Sequence, residues 1–444
     1  LLAKLQGLLP RGDTPEDLLE RTERLIGLPM PAEALEERIL PARMQRYYRS
    51  WLDGLNQDEG LHWYGAGRKT ILLSYPEERD LYLSPELPAP AAPSSPEHGS
   101  PQQAPQERLS ADQLFPSGRG KFSFFDLRDH AGLDAARTAE TLWQLVWQGE
   151  AACDSFAALR SGITAGFTVD SAASSGSGSI PSTRRGYGRS RRGSRSGYRR
   201  WKASLPLEGN WYLLSHSAAD AGDSAEHATP AVESADPFEE EERNRERVRQ
   251  LALRYGVLTR PLLARELPPL QWSPLLRTMQ RMELAGELIA GHFIRGLPGL
   301  QFVTPEALQL LRKEQEQPCE EPVYWMNAAD PVSPCGRELE GLPFDLPGRR
   351  AATYLVFRGR SPVLFMLRGG KELHFTVPPG EERIPEYLHI AEDLCSRDVR
   401  PLQRIAVETI NEHPAVESPY RPDLERAGFS ASYKGLVYRP RRRV

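Results

Sequence analysis

The chain has 444 residues, of which 39% are hydrophobic and 26% charged, and a formal net charge of −4. That length suits roughly three domains of ordinary size, enough to bury cores without metal or disulfide staples. The charge points to no partner. The cysteines, Cys153, Cys319, Cys335 and Cys395, form no C-x-x-C pair, which excludes a zinc framework and reads as reduced thiols in a cytoplasmic protein. No apolar run approaches the ~20 residues that cross a bilayer, and the first residues lack the basic flank and apolar core of a secretory signal, so no membrane partner is expected. A start at Leu1-Leu2 rather than Met reads as a beginning inside a longer polypeptide.

Residues 1–84 read as a winged-helix-like domain, from WLDGLNQDEGLHWYGAG, where Leu52 and Leu55 precede Glu59-Gly60, and the strand ILLSY that follows. Residues 85–108 are dominated by Pro, Ala, Ser and Gln, with too little apolar surface to offset the entropy of ordering, and form a linker. A second winged helix is expected at 109–170. There FSFFDLRDHAG predicts one helix, Asp134 an N-cap, and Ala135 to Gln148 the next helix, stopped by Gly149. Ala139, Leu142, Leu145 and Val146 recur on one face of that helix, with Arg137, Thr141, Gln144 and Gln148 opposite. Trp143 and Trp147 extend the apolar face, so they are expected to pack rather than to stack on bases.

The segment 171–205 turns from small and polar to basic. Between Pro181 and Lys202 it holds nine Lys/Arg and no acid. Arg184, Arg185, Arg191, Arg192, Arg199 and Arg200 interleave there with Tyr187, Tyr198 and Trp201, offering charge for phosphates and rings for unpaired bases. The plainer alternative is a solvated linker. Residues 206–216 predict a short strand, and 217–243 an acidic linker ending in EEEE.

A third winged helix is predicted at 244–316. RERVRQLALRYGVL and RPLLARELP supply two helices, and Ser273-Pro274 caps and opens a third that runs through Met279 and Met282 to Gly286-Glu287. LIAGHFIRGLPGLQFV predicts a hairpin wing. Winged helices commonly lay the third helix in a major groove and the wing on the backbone, and they also serve as spacers or protein-interaction modules. Arg277, Arg281 and Arg295 are the groove-facing candidates. Residues 317–444 alternate strands with Gly and Pro turns around one helix near Glu382 to Ser396. The fold class is therefore multi-domain α+β: tandem winged-helix domains followed by a β-rich, barrel-like C-terminal domain.

Phosphate-loop spacing fails at Gly120-Lys121 and Gly370-Lys371, where Phe115 and Phe365 replace the first glycine and Phe122 and Glu372 the Ser/Thr. The chain by itself is therefore not expected to hydrolyse ATP. Serine hydrolase, zincin and zinc deaminase signatures are also missing. One acid stands out, Asp330 in NAADPVSPCG. It reads either as a side chain capping its own Asp-Pro turn or as a catalytic carboxylate at a pocket rim, placed to orient a water or stabilise a cationic sugar.

Several blocks in order, LEERILPARMQRYYRSWLDGL, LWQLVWQGEAACDSFAALR, GNWYLL, RYGVLTRPLL, HFIRGLPGLQFV, AADPVSPCG and ERAGFSASYKGLVYR, resemble the C-terminal region of bacterial large helicase-related proteins, Lhr. That family comprises ATP-dependent 3'-to-5' DNA translocases and helicases tied to repair, with ATPase lobes ahead of a region like this one. The resemblance implies no cofactor in this chain, ATP and Mg in the preceding core, and DNA as partner, single-stranded or forked, or an RNA–DNA hybrid. It also implies a homo-oligomer, up to a tetramer. Long bacterial members carry a region similar to the AlkZ-type helix-turn-helix DNA glycosylases, to which uracil excision is attributed. Their Gln-x-Gln or Gln-x-Asp pair is not assigned to residues here. Leu367 stands in FMLRGG where the family pattern has an acid, whereas Asp330 keeps the pattern's Ala-x-Asp-Pro. The resemblance thus implies a DNA-binding region that excises uracil or damaged bases, or a non-catalytic oligomerisation and DNA-guiding module.

Overall fold

The computed structural model describes residues 1–83, 110–167, 208–214, 236–316, 321–337 and 344–440. It divides into two compact units, Leu1–Leu52 with Glu233–Val444, and Asp53–Val232. In the first unit, α1 (Leu2–Leu5) leads into α2 (Pro15–Glu23). Thr14 caps α2 through a reciprocal box, Asp17 N donating to Thr14 Oγ1 at 3.1 Å and Thr14 N to Asp17 Oδ2 at 3.1 Å. Then follow β1 (Met30–Pro31), a π-helical turn at Leu35–Ile39 and α3 (Leu40–Arg43). The division between the units falls within α4 (Arg49–Asp58).

In the second unit, β2 (His62–Gly65) and β3 (Thr70–Ser74) pair as an antiparallel hairpin with Trp63 opposite Leu73. β3 covers most of the strand expected at ILLSY, and β2 is a second strand paired with it. After α5 (Arg79–Tyr82) come α6 (Ala111–Leu114), α7 (Phe124–Ala131) and α8 (Ala135–Gln148). Asp134 Oδ1 accepts from Arg137 N at 2.8 Å, the predicted N-cap, and Gly149 ends α8 in the left-handed region at φ 76°. Of the face expected to be polar, Arg137, Gln144 and Gln148 are exposed, but Thr141 is buried. Beyond β4 (Ala151–Cys153) and α9 (Phe156–Ala165), β5 (Trp211–Leu213) returns to pair with β4, Cys153 facing Trp211. The short strand expected at 206–216 is thus the second half of this wing rather than a separate piece. Its other edge carries a bridge from Trp211 to Phe122.

The third winged helix, in the first unit, begins earlier than the sequence suggests. Its first helix, α10, spans Pro237–Tyr255, so the acids expected in a linker up to 243 form its opening turns. The physical reason is local: Asp236 caps, Pro237 sits at the first turn, and Glu239 and Glu240 oppose the positive end of the helix dipole. Glu240 also pairs with Arg243 at 2.9 Å and Arg247 at 2.8 Å. Next come β6 (Val257–Leu258), α11 (Arg260–Leu263), α12 (Trp272–Leu284), β7 (Ile289–Gly291), β8 (Gln301–Val303) and α13 (Pro305–Glu316). The strands run β6-β8-β7, a hairpin wing with the strand from between the first two helices on its inner edge. Gln271, not Ser273, occupies the cap position of α12, and makes no side-chain cap bond.

The C-terminal part holds β9 (Val323–Asn327), β10 (Tyr354–Arg358), β11 (Ser361–Leu367), β12 (Glu372–Phe375), α14 (Ile384–Tyr387), α15 (Ile390–Ser396), β13 (Ile405–Val407), β14 (Thr409–Ile410), β15 (His413–Pro414), α16 (Arg421–Arg426), β16 (Ser430–Ser432) and β17 (Gly435–Tyr438). Six strands lie in the order β15-β14-β12-β11-β10-β9, and three more in the order β13-β17-β16. Among the described residues the larger sheet is open, not closed into the expected barrel. The single helix expected at Glu382–Ser396 is two short ones. Leu355, Leu364, Met366, Leu373, Leu394 and Leu424 build the core here, joined by Leu8 and Ala42 from the N-terminal stretch. Among the described residues no helix is long and apolar enough to cross a membrane.

Candidate nucleic-acid interface and the Asp330 turn

Helix α12 buries Leu275, Thr278, Met279 and Met282, which leaves Arg277, Gln280 and Arg281 exposed. Arg281 has a partner on the neighbouring helix: its Nη1 donates to Glu241 Oε2 on α10 at 2.7 Å, and Thr278 Oγ1 donates to the same oxygen at 3.2 Å. Arg277 faces solvent with no ion-pair partner among the described residues. The same holds for Arg295 in the wing, between Ile294 and the Gly296 turn.

The wing is shaped by Gln301, which no sequence pattern singles out. Wholly buried at the start of β8, it accepts from Phe293 N at 2.9 Å and Ile294 N at 2.8 Å through Oε1. Its Nε2 donates to the carbonyls of Ile294 at 3.1 Å and Leu297 at 3.2 Å. Both ends of the amide are satisfied, so one side chain fixes the loop that carries Arg295. A Gln opening an apolar strand gives no hint of this in one dimension, because its partners are backbone groups placed by the hairpin.

Asp330 lies in the turn after β9, and it is not on a rim. Its side chain is 0% exposed, as is that of Arg43, and the two meet face to face: Arg43 Nη1 donates to Oδ2 at 2.7 Å and Nη2 to Oδ1 at 3.2 Å. Val332 N donates to Oδ1 at 3.1 Å, so the carboxylate also caps its own turn. Asn327 braces the turn from the strand side, donating to the carbonyls of Ala351 at 2.9 Å and Thr353 at 3.0 Å. Arg43 continues the network, donating to Ile39 O at 3.0 Å and Gln6 Oε1 at 3.4 Å, and Gln6 donates to Arg254 O at 2.7 Å. Arg254 pairs with Glu266 at 2.6 Å. The turn therefore ties β9, α3 and α10 together through buried, charge-assisted bonds. As it stands, the carboxylate presents no lone pair to solvent.

Arg184, Arg185, Arg191, Arg192, Arg199 and Arg200 lie outside the described residues, as does Cys319. Leu367 sits opposite Glu372 in the β11–β12 ladder. Trp143 is 3% exposed and packs on Trp211, Trp147, Trp63 and Phe167, so it is a core residue of the second unit. Burial pushes the Cys153 thiol up to about 12 and that of Cys395 to about 11, which leaves both protonated and unreactive near neutral pH. Among the described residues no three His, Cys, Asp or Glu side chains gather as a metal site needs.

Two models of the winged-helix domain of the large helicase-related protein match this chain, the third such domain over residues 1–75 and the fourth over residues 237–323. The "Lhr helicase/uracil glycosylase" of Escherichia coli is 28% identical over 473 aligned residues, which take in 98% of this chain and 28% of that protein. The "Lhr helicase/ probable uracil glycosylase" of Mycolicibacterium smegmatis is 26% identical, covering 79% of this chain and 22% of that protein. The chain thus spans about a quarter of the length of these relatives. The Streptomyces sahachiroi DNA glycosylase AlkZ superposes over 88% of this chain and 94% of its own, at 16% identity and a TM-score of 0.39, a likeness too loose to carry an argument.

Proposed function

Because this chain carries two winged-helix domains of the large helicase-related family and resembles the C-terminal region of its bacterial members, we propose that it is the DNA-binding accessory region of an ATP-dependent 3'-to-5' repair helicase. ATP and Mg would bind lobes outside these residues. The observation that carries this reading is the pair of exposed arginines on one winged helix, Arg277 on α12 and Arg295 on its wing, neither in an ion pair among the described residues. In this reading α12 enters a major groove and the wing lies along the backbone. Arg281 contributes less, since Glu241 already offsets its charge. Neutralised phosphates release counterions, so affinity falls steeply with salt, by a slope of about 0.9 for each phosphate neutralised on duplex DNA. Fluorescence anisotropy of labelled forked DNA at several salt concentrations tests it. Arg277→Ala and Arg295→Ala should each weaken binding and flatten the slope by about 1 if they touch phosphate. Full affinity in the double variant would remove this surface from the reading.

A second reading is base excision, favoured by the names of both relatives, which align along 98% and 79% of the chain. In it Asp330 acts through the turn that it holds, since its own oxygens are occupied by Arg43. Incubation with uracil-containing single-stranded DNA should then leave an alkali-labile abasic site. No such product from the unmodified chain would end this reading, and full activity in a folded Asp330→Asn variant would end only the part assigned to Asp330. The alternative of a non-catalytic assembly and guiding module requires a mass above the monomer in light scattering.

A further inference from the structure

Three arginines converge on the Asp330 turn with no carboxylate among the described residues in a direct ion pair with them; Asp330, the acid that acts on Arg349, is bonded to Arg43. Arg337 is locked in place, its guanidinium donating to the carbonyls of Leu262 at 2.5 Å, Pro331 at 2.9 Å and Ser333 at 3.2 Å and lying 5.7 Å from the centre of the Tyr255 ring. Arg265 Nη1 donates to Cys335 O at 3.0 Å, and Arg349 Nη2 to Ala329 O at 3.0 Å. Gly336 lets two of them close in: at φ 64° it has no side chain where a Cβ would lie 3.0 Å from Arg265 Nη2 and 3.3 Å from Arg349 Cβ. The nearby acids are already engaged. Asp330 is held by Arg43 on both oxygens, and Glu266 by Arg254 and Tyr255. Glu338 and Glu340 lie outside the described residues.

We propose that Arg265, Arg337 and Arg349 form a phosphate-binding site for a nucleic-acid backbone at the Ala329–Gly336 turn. Each guanidinium presents a planar fork of five donors, and Arg265 and Arg349 each commit one to a backbone carbonyl, so donors remain to grip a phosphate oxygen. Like charges held together with no ion pair among the described residues repel one another, and that repulsion adds to the effect of burial on the arginines. Burial first, then the charges of Arg337 and Arg349, lower the pKa of Arg265 to about 10. Burial and the charge of Arg337 lower that of Arg349 as well, against the opposing charge of Asp330. An anion at this point relieves the repulsion, and a phosphodiester is the anion that a DNA-binding region meets along its length.

This inference rests on the DNA-binding reading, and one titration separates the two. Affinity for labelled single-stranded DNA is measured across salt for the unmodified chain, for Arg265→Gln with Arg349→Gln, and for Arg265→Lys with Arg349→Lys. Thermal melts check that each variant is folded. The glutamine variant should bind at least about tenfold more weakly at moderate salt and lose about 0.7 from the salt slope for the phosphate no longer held, and the lysine variant, which keeps the charge, should keep the slope. An unmodified chain that binds no DNA overturns the DNA-binding reading and this site with it. An unmodified chain that binds, with a folded glutamine variant of equal affinity and slope, overturns this site alone.

Discussion

Asp330 and Arg43 illustrate how a residue that looks like chemistry in one dimension becomes architecture in three. Both side chains are fully buried and bonded bidentately, so removing one leaves the other as an uncompensated charge in the interior. Asp330→Asn should therefore lower unfolding free energy by about 3–5 kcal/mol in urea melts. Replacing both partners together, Arg43→Met with Asp330→Leu, should recover most of that loss, because the desolvation penalty of the pair disappears with the pair. A double variant as unstable as the single one would mean that the surrounding network, rather than the pair, holds the turn. The sequence carries half of this story. Asp before Pro announces a turn, and Asp330 does cap it. The partner is 287 positions away, and no local pattern links the two.

At the scale of elements, α8 is the most readable piece of the chain. Its cap, its stop and its apolar stripe all follow from short-range rules, since a cap needs only the next three residues and a stripe only the helical period. Trp143 falls on that stripe, and four aromatic rings surround it in the folded unit. Gly162 marks how tightly they fit: a Cβ there would lie 2.5 Å from the Trp143 ring and 2.6 Å from that of Phe167. Exchanging Trp143 for Ala should cost about 3–5 kcal/mol of stability and erase much of the near-ultraviolet circular dichroism of the unit. Normal stability with lost DNA binding would instead make Trp143 a stacking platform. Other elements are less legible. The acidic run becomes the start of α10 because a cap, a proline and ion pairs with Arg243 and Arg247 outweigh the repulsion among its acids. The wing strand β5 closes on β4 from 58 residues farther along, Cys153 to Trp211, a pairing set by tertiary packing rather than by neighbourhood.

At the scale of the whole molecule, the near-neutral net charge hides a segregation that matters for binding. The basic residues between Pro181 and Lys202 fall on one stretch, and the acids of 239–242 on another. If Arg184, Arg185, Arg191, Arg192, Arg199 and Arg200 bind phosphates, deleting 181–202 should flatten the salt dependence of single-stranded DNA binding further than the winged-helix variants do, by about 0.7 for each phosphate no longer neutralised. An unchanged slope would assign the segment to spacing alone. Repeated helix-and-wing grammar, strand-rich texture beyond residue 321 and the lack of a phosphate loop were all determined by the sequence itself, because propensity, capping and periodicity act over a few residues. Tertiary structure alone decided the rest: that the larger C-terminal sheet stays open, that Arg281 is neutralised by Glu241 while Arg277 is not, that Gln301 shapes the wing, and that Asp330 faces Arg43. Those outcomes depend on which distant groups the fold brings together: at the surface it sets Glu241 beside Arg281, and in the low-dielectric interior a hydrogen bond or a charge must find its partner or bear the full penalty of desolvation.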